Sequence, residues 1–74
     1  MKRVDLRHLK GEFLDELGKT AQNLAQGEVC IFIYEIGEFE NVEKSINLIR
    51  DCGCKLMNSL KFNQVDWTIV VKKN

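Results

Sequence analysis

The chain has 74 residues, 45% of them apolar, with eleven basic and eleven acidic side chains and a formal net charge of zero. A domain of this size buries only about 60% of the surface its unfolded chain exposes, so a shallow groove or a partner surface is expected in place of a deep enclosed site. Charge neutrality removes the overall attraction on which nucleic-acid binding relies, and no apolar run approaches the roughly 20 residues of a membrane span. The chain therefore reads as one domain, 1–74, of a soluble cytoplasmic protein with no signal-peptide core at its N-terminus.

Residues 2–6 predict a first strand. Beyond it Phe13, Leu14, Leu17, Ala21, Leu24 and Ala25 recur at helical spacing, which predicts a helix over 11–26 with Gly27 at its C-cap. Gly18 inside that helix costs about 1 kcal/mol relative to Ala, which the apolar face must offset. Residues 29–36 form a β-branched and aromatic run between Gly27 and Gly37, too short for a helix and apolar on both sides, as a central strand is. Val42, Ile46 and Ile49 mark the stripe of a second helix, widened by Leu48 and Cys52, with Asn41 as N-cap and Gly53 as left-handed stop. Over 54–62 the chain alternates, with Cys54, Leu56, Leu60 and Phe62 on one face and Lys55, Met57, Ser59 and Lys61 on the other. After a short turn at Asn63-Gln64, Val65, Trp67, Ile69 and Val71 share a face of a last strand.

The order is thus βαβαββ. Right-handed crossovers place both helices on one face of a four-stranded mixed sheet, an α+β two-layer sandwich. In the central strand we take Val29, Ile31 and Ile33 as facing the helices, so that Cys30, Phe32 and Tyr34 face outward and join Met57 and Val70. Such a patch suits a partner surface or a flat aromatic ligand. The opposite phase is also compatible with a strand that is apolar on both sides.

The segment Val4-Asp5-Leu6-Arg7-His8-Leu9-Lys10-Gly11-Glu12-Phe13 resembles the first strand and helix entry of the TusA/SirA sulfur-carrier family. The similarity continues at Gly27-Glu28, Asp51-Cys52-Gly53 and Val70-Val71-Lys72-Lys73, and it implies the same βαβαββ fold. In that family a cysteine followed by proline opens the first helix as the sulfur-carrying nucleophile. Here Gly11 and Glu12 stand in those places, so the resemblance does not carry the persulfide relay to this chain. A sulfur-relay function would need a displaced nucleophile, Cys52 or Cys54.

Through Val4-Asp5-Leu6-Arg7-His8-Leu9-Lys10 and the segment Leu60-Lys61-Phe62-Asn63-Gln64-Val65-Asp66-Trp67-Thr68, the chain also resembles the short protein that replaces the usual E subunit in the NADH-quinone oxidoreductase (complex I) of some bacteria. The ordinary E subunit is larger and holds a two-iron cluster through four cysteines. This chain has three cysteines. The resemblance therefore implies an accessory, non-catalytic subunit that docks protein partners of a respiratory NADH dehydrogenase. It would be cytoplasmic, meeting the inner membrane only through those subunits, and a flavin, FMN or FAD, is the cofactor such an assembly points to.

For that cofactor's phosphate the start of the first helix is the candidate, with Arg7, His8 and Lys10 supplying charge and Gly11 allowing close approach to free N–H groups. Glu12, Asp15 and Glu16 lie in the same turns, where they also serve helix stability by themselves. His8 has no Ser, Cys or carboxylate beside it in a triad pattern, so no catalytic constellation is expected. Cys52-Gly53-Cys54 is spaced too tightly for the usual zinc knuckle, and no metal is expected.

Overall fold

The structure, a computed structural model, describes residues 1–74. Its strands are β1 (Lys2–Asp5), β2 (Val29–Glu35), β3 (Cys54–Lys61) and β4 (Asp66–Lys73), and its helices α1 (Phe13–Gln22) and α2 (Glu40–Asp51). The sheet order is β1-β2-β4-β3. β1 runs parallel to β2, and the other two pairings are antiparallel. This is the expected α+β two-layer sandwich, with both helices on one face of a mixed sheet. Neither helix is long and apolar enough to cross a membrane.

The phase of β2 is the reverse of the one expected from sequence. Cys30, Phe32 and Tyr34 are fully buried beneath the helices, so Phe32 and Tyr34 are corrected from surface to core. The register explains why: Cys30, Phe32 and Tyr34 pair with Val71, Ile69 and Trp67 on β4, and cross-strand partners share a face. Side chains from both helices fix the choice. The Tyr34 ring stacks on Phe13 with centroids 4.1 Å apart, and its hydroxyl lies 2.7 Å from Ser45 Oγ on α2. Ser45 Oγ donates to the Val42 carbonyl at 2.7 Å, so its single proton is committed and Tyr34 is the donor between them. Val42, Ser45 and Ile49 are accordingly the buried line of α2, while Ile46 is only half-buried.

β3 changes phase partway. Leu56 pairs with Val71, and Asn58 with Val70, leaving Met57 as the extra residue of a β-bulge. Beyond it Ser59 faces the helices and accepts a hydrogen bond from Trp67 Nε1 at 2.8 Å. Leu60 and Phe62, expected inside, are exposed as a result.

Helix ends also depart from expectation. A 3-10 stretch over Arg7–Glu12 precedes α1, which stops at Gln22 well before Gly27. Asn41 is not the cap of α2; its Nδ2 donates to the Ile36 carbonyl at 2.9 Å. Gly53 takes the expected left-handed conformation, φ 81°. The ends of both helices are closed by one side chain from β4: Lys73 Nζ donates to the carbonyls of Cys52 at 2.6 Å and Ala21 at 3.1 Å. A cation there satisfies carbonyls that have no partner within their helices and meets the negative end of each dipole.

Candidate functional site on the open sheet face

The face of the sheet away from the helices has no covering layer. Alternation assigns to it Arg3 and Asp5 of β1, Val29, Ile31 and Ile33 of β2, and Asp66, Thr68, Val70 and Lys72 of β4. Lys55, Asn58 and Leu60 of β3 complete it, opposite Lys72, Val70 and Thr68. Of the sequence candidates, Met57 and Val70 belong here; Met57 is 52% exposed and Val70 half-buried.

One end of this face is closed by the chain itself. Arg7 leaves β1 and folds back: its backbone N–H and Nε each donate to Asp5 Oδ1 at 3.0 Å, and Nη2 donates to Asp5 Oδ2 at 2.7 Å. The guanidinium also reaches across β2 to Asp66, Nη1 to Oδ2 3.5 Å, and sits 5.9 Å from the centre of the Phe62 ring. Ile33, in register with Asp5 at this end, is buried on an otherwise open face. Arg7 holds the Asp5 carboxyl down at about 2, chiefly through its side-chain hydrogen bonds, and its own pKa is raised in return. Asp66 further accepts from Asn63 Nδ2 at 2.8 Å, while Asn63 Oδ1 accepts the N–H groups of Val65 and Asp66. Asn63 thereby builds the hairpin turn without a glycine.

The other end is basic and open. Lys55, Met57 and Lys72, with Gln26 and Gly27, line a shallow cleft of about 420 Å³. Between the two ends lies Thr68, whose hydroxyl oxygen is buried and has no hydrogen-bond partner. Lys55, Lys72, Arg3 and Thr68 were not among the sequence candidates. The outward alternation of Lys55 and Met57 was readable, but the pairing of Lys55 with Lys72, and the place of Arg3 on the opposite edge strand of the same face, depend on the sheet order.

The turn before α1 holds the other predicted residues. His8, Lys10 and Gly11 are exposed there, and a side chain at Gly11 would meet no atom within 4 Å. Lys10 adopts φ 49° and ψ −126°, a conformation that strains a residue with a Cβ. No side chain caps α1. Arg7, expected beside them, points instead to Asp5 and Asp66 and is removed from the set as a free cation.

The cysteines are separate from both regions. Cys30 and Cys54 are buried and Cys52 is half-buried. Burial pushes the Cys30 thiol up to about 11 and the Cys54 thiol upward as well, which opposes the thiolate form that a sulfur-transfer nucleophile needs. No three or more His, Cys, Asp or Glu side chains gather where they could hold a metal ion. The four-thiolate set of a two-iron cluster has no counterpart in this geometry.

These features define a small α+β sandwich whose free sheet face is closed at one end and open at the other. A family model for the putative E chain of NADH-ubiquinone oxidoreductase matches residues 1–73, and the protein belongs to that family. Among solved structures, the solution structure of HP1264 from Helicobacter pylori is 47% identical, with a TM-score of 0.69 over 100% of this chain and 99% of that one. No curated protein matches the chain.

Proposed function

We propose that this chain is an accessory, non-catalytic subunit of a bacterial NADH-quinone oxidoreductase, held by other protein subunits through the open face of its sheet. Membership of the oxidoreductase E-type family over residues 1–73 carries this reading. The absence of any covering layer over Ile31, Val70, Met57 and Leu60 supports the choice of face, because a half-exposed apolar sheet surface is what an interface centre requires. Placement is then on the cytoplasmic side, with the membrane met only through the partner subunits. Co-purification tests it: a tagged chain expressed at its natural level should recover the oxidoreductase subunits in fixed ratio. Migration of all the native protein as a free monomer would refute it.

As cofactor we propose a flavin nucleotide, FMN or FAD, with its phosphate at the turn before α1. Lys10 carries no ion pair, Gly11 leaves the backbone open, and the first turn of α1 lacks a side-chain cap, a combination that suits an anion. Arg7 contributes nothing to it, and the enclosed rings of Phe32 and Tyr34 offer no stacking platform. Titration with FMN should move the amide resonances of His8 to Phe13 more strongly than titration with riboflavin does. Identical responses to both compounds would remove the phosphate from this turn.

A further inference from the structure

Three cations on the open face form no ion pair: Lys55 and Lys72 at its basic end, and Arg3 one row further in on the opposite edge strand. Arg3 projects from β1 in register with Ile31, and Lys72 and Lys55 stand directly opposite one another on β4 and β3. Like charges facing each other across a ladder destabilise the sheet, and no ion pair within the chain offsets this one. At the other end of the same face, by contrast, Asp5 and Asp66 both neutralise Arg7. Between and beside these cations lie Ile31 and Val70, half-buried, and Met57, exposed, with the polar Asn58 opposite Val70.

We propose that this end of the face docks an acidic segment of a partner protein, carboxylates on Arg3, Lys55 and Lys72 and apolar side chains on Ile31, Val70 and Met57. The inference rests on the reading of the chain as a subunit of the oxidoreductase and names the chemistry of the surface it meets. Charge complementarity selects the occupant. An apolar centre rimmed by unneutralised cations steers an acidic partner in and rejects a basic one. The free chain stores a repulsion that docking removes, so one substitution should act on stability and on binding with opposite sign.

The experiment measures both on the full chain. Lys72→Glu and Lys55→Glu, made singly, each replace a repulsive pair by an attractive one and should raise the melting temperature by about 1 to 3 °C. The same variants should bind about tenfold more weakly to oxidoreductase purified from cells lacking this chain, and wild-type binding should weaken as salt rises through about 0.5 M. Lys72→Arg should bind as wild type does, and the double variant, with two facing carboxylates, should lose the thermal gain and bind worst. Wild-type binding that the charge reversals leave unchanged would overturn the acidic partner while keeping the subunit reading. Failure of the wild-type chain to bind the oxidoreductase at all would overturn both.

Discussion

The two faces of the sheet differ in how far folding completes them. Under the helices the buried side-chain polar groups have partners within the chain: Tyr34 donates to Ser45, Ser45 to the Val42 carbonyl, and Lys73 closes the ends of α1 and α2. On the open face only the Arg7 end is finished in this way. Thr68 keeps a buried hydroxyl without a partner, and Lys55 and Lys72 face each other unrelieved. A buried polar group left without a partner costs stability, as at Thr68, and like charges set opposite one another on a sheet cost some as well. The covered face is freed of these costs and the open face is not, and that contrast is what the proposed docking surface builds on.

The largest effect should come from damaging the covered face. Tyr34→Ala removes the ring stacked on Phe13 and leaves Ser45 without its donor, for an expected loss of about 3–5 kcal/mol in chemical denaturation. A loss below about 1 kcal/mol would put Tyr34 outside the core. Lys73→Met keeps the aliphatic stem but uncaps two helices, and should cost about 1–3 kcal/mol. An unchanged midpoint would show that water replaces the ammonium at both helix ends. The smallest effect belongs to the open face, where Asp5 is exposed and its ion pair with Arg7 is screened. Its folded-state pKa is lowered to about 2, so its contribution is complete above the ordinary carboxylate range and disappears as pH falls from about 4 to 2. Asp5→Asn should therefore be slightly less stable than wild type at neutral pH, with the two melting curves converging near pH 2. A gap that widens on acidification would contradict the assignment.

Element order was legible because each helix shows a clear apolar stripe and each strand is bounded by glycine or a polar turn. The phase of β2 was not legible, since Val29 through Tyr34 is apolar at every position and only the register with β4, together with the stack on Phe13, decides it. The bulge at Met57 was hidden for a related reason: Leu56 and Leu60 fit one alternating pattern, and nothing local marks the residue that interrupts it. At the candidate site, Met57 and Val70 could be assigned outward by alternation alone. Arg7 could not be placed: its main partner, Asp5, is local, but its reach to Asp66 depends on the β1-β2-β4 order, which brings that distant residue beside it. The same order brings Arg3 to the edge of the apolar centre.

If the open face, and not the helical layer, is the surface that meets other subunits, assembly must shield it selectively. Oxidative footprinting of the protein, free and within the assembled oxidoreductase, tests this most directly, because Met57 is a reactive side chain at 52% exposure and Phe39, at 63%, lies away from the basic end of that face. Docking through the open face should suppress labelling of Met57 and Leu60 several-fold while Phe39 and the exposed side chains of α1 keep their labelling. Full labelling of Met57 in the assembly, with shielding confined to the helices, would contradict it.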